Sequence, residues 1–246
     1  YLEQEGVPPL RIIAQKNNFQ SQKISILGNI SSQYISALLM IGPMLPDGIS
    51  IKLIGEIFSR PYIEMTLALM DHFGIKSTWK NQSINIKSQR YQGRSYTIES
   101  DWSGASYWYS MVALNKESNI TLRGLRTRSF QGDQNIINIM SKMGVETEFI
   151  SDGVKLTSIP VSELNQTLDF KNCPDLAQTV MVVAAIKGIK LIMTGLESLK
   201  IKETDRIQAM KKELLKIGSL LHEENRYWKL TPGTIPEDIE TIETYD

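Results

Sequence analysis

Cysteine and histidine are nearly missing from this sequence, which has one and two of them respectively. Cys173 has no second thiol for an internal disulfide, and two histidines argue against a His/Cys metal cage, so no metal is expected. An excess of either charge is missing too, with 27 Lys and Arg against 27 Asp and Glu. That balance argues against a protein built to grip nucleic-acid backbone, though it leaves room for a local basic pocket holding a small anion. Long apolar runs are also lacking. Tyr34–Met44 is broken by Ser36, Gly42 and Pro43, and Val180–Ile186 is short, whereas a bilayer span needs about 20 residues. No basic, apolar and small-residue leader opens the chain, so a soluble, cytoplasmic protein is expected. No P-loop or dinucleotide fingerprint occurs. The sequence does have the 41% apolar and 22% charged residues of an ordinary globular protein, in 246 residues, enough for one or two domains. It starts at Tyr1 rather than methionine, and a missing upstream part is expected.

The strongest internal signal is a repeat. Three apolar helical patterns end in glycine, at Gly74, Gly144 and Gly218, spaced 70 and 74 residues apart. Two strand-like runs follow each glycine: Ile75–Trp79 and Ser83–Lys87, Val145–Ile150 and Val154–Thr157, Leu220–Glu223 and Tyr227–Thr231. Each copy also has an earlier helix and strand: Ser31–Ile41 with Ile49–Ile54, Trp102–Leu114 with Ile120–Arg123, and Pro174–Lys187 with Lys190–Met193. Strand candidates at Lys23–Leu27, Tyr96–Ser100 and Thr167–Phe170 precede those helices. The fold class is therefore α/β (α+β), a β-α-β-α-β-β unit of about 70 residues repeated three times. The first helix of each copy is apolar nearly all round and is expected to be buried, with these helices sharing a core and the strands outside. The second helix of the third copy shows one stripe, Ile207, Met210, Leu214 and Ile217. Pro232–Pro236 reads as a loop before an acidic tail.

Polar residues cluster where helices begin, and helix starts carry unpaired N–H groups that favour anions. In Gly28-Asn29-Ile30-Ser31-Ser32-Gln33 the hydroxyls either cap the helix or cradle a phosphate, and spacing favours Ser31 as a cap. In Ser59-Arg60-Pro61-Tyr62, Pro61 fits a first helical position, and Ser59 reads first as a cap and second as a phosphate donor. In Lys202-Glu203-Thr204-Asp205-Arg206, two cations oppose the helix dipole. Either Glu203 and Asp205 neutralise them, or Lys202 and Arg206 face a bound anion with Glu203 placed for proton transfer. Asp175 reads as dipole compensation, Asp101 as an N-cap, Gln131-Gly132-Asp133 as another helix start, and Cys173 as a packed side chain. Arg126 and Arg128 read as a solvated loop, and His72 and His222 receive no role.

Taken in order, Gly28–Tyr34, Ser59–Ile63, Gln131-Gly132-Asp133, Pro174-Asp175 and Lys202–Arg206 resemble the 5-enolpyruvylshikimate-3-phosphate synthases, as does the opening Tyr1–Leu10 run. The pairing of Ser-Ser-Gln with Lys-Glu-Thr-Asp-Arg is specific to this family rather than to its relatives. The resemblance implies an enolpyruvyl transferase-like, two-lobed α/β prism, each lobe made of three such units and incomplete here. Residues 1–99 would be the last unit of the upper lobe and 100–246 two units of the lower lobe. The implied reaction transfers the enolpyruvyl group of phosphoenolpyruvate to the 5-hydroxyl of shikimate 3-phosphate and releases phosphate, a step toward chorismate and the aromatic amino acids. No cofactor, metal, nucleic acid or membrane is implied, and the intact protein would be a monomer.

Position by position, the resemblance makes Ser31, Ser32 and Ser59 ligands of shikimate 3-phosphate, with Tyr62 along its ring and Gln33 near both substrates. Asp175 would accept the hydroxyl proton and Lys202 would sit beside it. Glu203 would be the acid at the phosphoenolpyruvate methylene, and Arg206 would clamp that substrate's carboxylate or phosphate. Catalytic roles thus fall on Asp175, Lys202 and Glu203. Ser198 departs from the pattern, standing where many members have asparagine four residues before the lysine. A His-Arg pair and a further lysine of the family lie beyond Asp246, so the 246 residues alone are expected to be inactive. Two rivals remain: enolpyruvyl transfer to a UDP-sugar, and a non-catalytic phospholigand-binding module.

Overall fold

The computed structural model describes residues 2–4, 7–10 and 22–245; Tyr1, Glu5 and Gly6 of the opening family-like run lie outside them. Strands β1 (Leu2–Gln4) and β2 (Val7–Leu10) pair antiparallel. The first unit then runs β3 (Gln22–Leu27), α1 (Ser32–Ile41), β4 (Ile49–Ile54), α2 (Arg60–His72), β5 (Ser77–Lys80) and β6 (Ser83–Ile86). The second comprises α3 (Trp102–Leu114), β7 (Asn119–Arg123), α4 (Ile136–Met143), β8 (Val145–Ile150) and β9 (Gly153–Ser158). The third comprises β10 (Asn165–Asp169), α5 (Leu176–Lys187), β11 (Lys190–Thr194), α6 (Arg206–Lys216), β12 (Leu220–Glu224) and β13 (Tyr227–Thr231).

The first and third units have the same sheet. Their strand orders are β3-β4-β6-β5 and β10-β11-β13-β12, each with a parallel first pair and antiparallel pairs after it. Register follows alternation: Ile49, Ile51 and Leu53 of β4 point inward and are buried, while Lys52 and Ile54 point out. The second unit has only three strands, β7-β9-β8. Tyr96–Ser100 does not form the strand its alternation suggests. Ser100 N–H donates to the Gly124 carbonyl (2.9 Å) and Arg126 Nη2 to the Thr97 carbonyl (2.7 Å). Ile98 remains 85% exposed, so no layer buries the apolar side of this segment and pairing goes no further. Arg126 is thus a tether for that segment, beyond a merely solvated loop residue.

The repeat glycines Gly74, Gly144 and Gly218 all have positive φ, at 91°, 104° and 76°. At Gly218 the requirement is double, because a Cβ would fall 2.1 Å from the Thr234 carbonyl oxygen.

Two apolar cores form. One gathers Ile35, Leu39, Ile51, Leu53, Ile63 and Ile84 of the first unit, and the other merges the second and third units around α3 and α5. The expectation of buried first helices holds for most of α5, where Ile186 is the exposed apolar side chain, and not for α1. Ile35 and Leu39 are the buried side chains of α1, while Tyr34, Met40 and Ile41 are exposed. Helix α1 packs against α2 and has no second helical neighbour of comparable extent among the described residues. Tyr107, Trp108, Met111 and Leu114 of α3 are likewise exposed. In α6, Ile207 and Leu214 are buried and Met210 and Ile217 partly so, the stripe anticipated. No helix among the described residues is long and apolar enough to cross a membrane.

Candidate active site

At the start of α6 both cations meet carboxylates, Arg206 that of Glu203 among them, as the neutralising reading has it. Asp205 is the N-cap, its Oδ1 accepting from the backbone N–H groups of Ile207 and Gln208, both at 3.1 Å. With the dipole answered there, Lys202 and Arg206 turn toward α5. Lys202 Nζ lies 3.4 Å and Arg206 Nη1 3.0 Å from Asp175 Oδ1. The second arm of Arg206 holds Glu203 at 2.9 Å, and Gln178 Oε1 accepts from Nη1 at 3.4 Å. Asp175 occupies the N-cap position of α5 without capping it. Its carboxylate answers cations, not only a helix dipole. The exposed Glu203 is held below the usual carboxylate range by its own backbone N–H and then by Arg206.

The starts of α1 and α2 are tied through their loops to the segment that leads into α5. Phe58 N–H donates to the Gly28 carbonyl (3.0 Å), setting the Ser31–Gln33 turn beside the Ser59 turn. Ser59 N–H donates to the Lys171 carbonyl (2.9 Å), and Lys171 pairs with Glu56, which ties the first unit to the loop leading into α5. Ser31 caps α1 as expected, accepting from Gln33 N–H at 3.4 Å. Ser32 is half-buried and Gln33 exposed. No hydrogen bond joins these three side chains to Asp175, Lys202 or Arg206 among the described residues. Ser59 departs from its capping expectation. It sits at the N-cap position of α2 with φ 52° and makes no side-chain cap bond, although the residue is buried. A left-handed serine costs about 1 kcal/mol or more, and here it frees a hydroxyl instead of using it. Ser59→Gly is therefore expected to stabilise the fold by up to about 1 kcal/mol, while weakening any phosphate held there. A calorimetric scan and a binding titration check the two halves.

Residues without a role in the sequence pattern complete the picture. Asp133, on the turn Gly132–Asn135, is 0% exposed. Its Oδ2 accepts from Ser103 Oγ, while Oδ1 and the Tyr62 hydroxyl are both buried without a well-formed partner among the described residues. Burial raises the Asp133 carboxyl above the usual range; Ser103 and Tyr62 oppose the shift, and Asp175 and Asp101 add to it. Burial, then Asp133, pushes the Tyr62 phenol far upward as well. Because the folded-state value of Asp133 is raised, the unfolded chain ionises first, and stability falls as pH rises from about 4 toward that raised value. Asp133→Asn is thus expected to stabilise the protein at neutral pH and to lose that advantage below about pH 4, in urea titrations at both pH values. Ser198, four residues before Lys202, is buried, and its hydroxyl has no hydrogen-bond partner among the described residues. Cys173 is buried and its thiol is pushed up to about 11 by that burial, consistent with packing. Asp101 caps α3 through Ser103 N–H at 2.8 Å. Among the described residues no three His, Cys, Asp or Glu are grouped to hold a metal ion.

A family model described as EPSP synthase (3-phosphoshikimate 1-carboxyvinyltransferase) matches residues 1–246. The chain belongs to this family. A 3-phosphoshikimate 1-carboxyvinyltransferase of Bacteroides fragilis (strain YCH46) is 47% identical over 226 residues, covering 92% of this chain and 55% of that protein. One from Sulfurovum sp. (strain NBC37-1) is 35% identical over 249 residues, covering 100% of this chain and 57% of that protein. The chain spans about half the length of the curated relatives it matches. The structure of EPSP synthase from Acinetobacter baumannii superposes with a TM-score of 0.62 at 18% identity, over 91% of this chain and 51% of that one. That likeness establishes the mixed α/β fold shared with EPSP synthases.

Proposed function

We propose that the protein carrying this chain transfers the enolpyruvyl group of phosphoenolpyruvate to the 5-hydroxyl of shikimate 3-phosphate and releases phosphate. The observation that carries this is the Asp175–Lys202–Arg206–Glu203 cluster built on two helix starts, a carboxylate and an acid bracketed by cations. Membership of the EPSP synthase family supports it. Residues 1–99 are read as one repeat unit of an upper lobe and 100–246 as two units of a lower lobe, in keeping with the two separate cores. The intact protein is read as a cytoplasmic monomer, and residues 1–246 alone as binding shikimate 3-phosphate without turnover.

In this reading Ser31, Ser32 and Ser59 bind the shikimate phosphate, Tyr62 lies along the ring, and Gln33 reaches both substrates. Arg206 is paired with both Asp175 and Glu203. An arriving phosphoenolpyruvate carboxylate or phosphate competes for that guanidinium and releases both acids. Glu203, freed from the cation that favours its ionised form, takes a proton from solvent and delivers it to the methylene carbon. Asp175 takes the proton of the 5-hydroxyl as its oxygen adds to the resulting electrophilic carbon. The tetrahedral adduct then gives a methyl proton back to the Glu203 carboxylate while the carbon–oxygen bond to phosphate breaks, phosphate leaving with the bonding pair and the double bond re-forming. Lys202 and Arg206 stabilise the anionic charge throughout.

The test is phosphate release by the full-length protein. Release is expected to require both shikimate 3-phosphate and phosphoenolpyruvate, in equal amount with the enolpyruvyl product. No release with both present, or release only when a UDP-sugar replaces shikimate 3-phosphate, would overturn the assignment.

A further inference from the structure

We propose that Asp133 is a positioning residue for the sugar-phosphate substrate, acting through Tyr62 across the contact between the first and second units. This rests on the reading of Tyr62 as lying along the shikimate ring. Tyr62 stands in the first turn of α2, whose Ile63 and Met70 belong to one apolar core, whereas Asp133 and Ser103 lie on the body built on the other. Gly132 lets the two meet. A Cβ there would fall 2.4 Å from the Asn172 carbonyl oxygen and 3.1 Å from Pro61 Cβ, the residue before Tyr62. The Ser59 N–H bond to Lys171 fixes the same turn of α2 from its other side.

A fully buried carboxyl is costly unless its oxygens are bonded. Ser103 answers one oxygen of Asp133, and among the described residues the other has no hydrogen-bond partner. The Tyr62 hydroxyl, also buried and unpartnered, is close enough that each group perturbs the titration of the other. Asp133 does not cap its own turn, which begins at Gln131 without a side-chain cap. What it offers is an acceptor facing a phenol from the opposite body. A hydrogen bond between the two fixes the ring that flanks the substrate. The charge of Asp175 is near enough to raise the Tyr62 phenol further.

The test is a double-mutant cycle in the full-length enzyme. Asp133→Ala and Tyr62→Phe are each expected to raise KM for shikimate 3-phosphate about fivefold to tenfold, the effect of one lost hydrogen bond. KM for phosphoenolpyruvate and kcat should stay within about twofold, since the loss is in uniform binding of one substrate. The double variant should be no worse than the worse single variant. Asp133→Asn, whose amide still serves both Ser103 and Tyr62, should keep the wild-type KM. Effects that multiply in the double variant, or a lowered melting temperature with KM unchanged, would overturn the proposal. If Asp133→Ala does not fold, the cycle is run with Asp133→Ser, where non-additive KM effects uphold the pairing and multiplying ones overturn it. A wild-type enzyme that does not turn over refutes the assigned reaction instead. The pairing is then read from melting temperatures of the same variants, where non-additivity upholds it and strict additivity overturns it.

Discussion

Asp175→Asn in the full-length enzyme is expected to lower kcat at least ~10²-fold, the range typical for loss of a positioned general base. The fold should survive. Asp175 is about one-third exposed and makes no cap bond, so no helix end depends on it. Arg206 retains Glu203 and Gln178 as partners, and Lys202 keeps access to water. The asparagine preserves shape and the acceptor for both cations, while it cannot take up a proton. Steady-state kinetics beside circular dichroism separates the outcomes. Turnover within a few-fold of wild type would leave the cluster as a structural ion pair and return the protein to the class of non-catalytic binding modules.

Trp102→Ala is expected to cost about 3–5 kcal/mol, the range for truncating a buried aromatic. A domain's whole stability is about 5–15 kcal/mol, so the variant should sit close to unfolding at 37 °C. Trp102 is 0% exposed and its ring edge meets Phe149 at 6.4 Å between centroids. Its indole N–H donates to Glu99 Oε1 at 2.9 Å. Glu99 also accepts from Arg126 N–H, Ser129 Oγ and Gln131 Nε2, so one carboxylate gathers the segment where the first unit passes into the second. Trp102→Phe keeps most of the packing and loses only the N–H, at about 1 kcal/mol plus a small cavity term. Urea titrations should rank the three proteins wild type, Phe, Ala. Equal losses for Phe and Ala would mean that the Glu99 bond, not the ring, supplies the stability.

The repeat was the most legible feature because three independent physical signals agree in each copy: helical periodicity, a glycine at the helix end and paired alternating runs. Helix α3 spans the residues read from its pattern, Trp102–Leu114, since Asp101 marks its start and apolar character fades after Leu114. Tyr96–Ser100 has the alternation of a strand and none of its surroundings, and alternation says nothing about whether a covering layer exists. The exposed face of α1 is the same lesson, since composition shows an apolar helix and not what covers it.

Within the site, the cations of the α6 start were visible and their targets were not. Asp205 as cap and Asp175 as partner are equally acidic in sequence, and only the turn of the chain before α6 separates them. The left-handed backbone of Ser59 is set together with its bond to Lys171, far away along the chain, while the Ser-Arg-Pro pattern alone reads as a cap. Asp133 was hidden for a related reason. An aspartate after glycine at a helix start is ordinarily a solvated cap, and its complete burial follows from the meeting of two units.

The most direct measurement of the central claim is deuterium content of the product when the full-length enzyme turns over in D2O. If Glu203 protonates the methylene and the adduct later loses a methyl hydrogen, the vinyl group of the product must carry deuterium from solvent. Glu203→Gln should slow turnover and deuterium uptake together. Product formed at the wild-type rate with no deuterium in its vinyl group would contradict an addition–elimination path through this cluster.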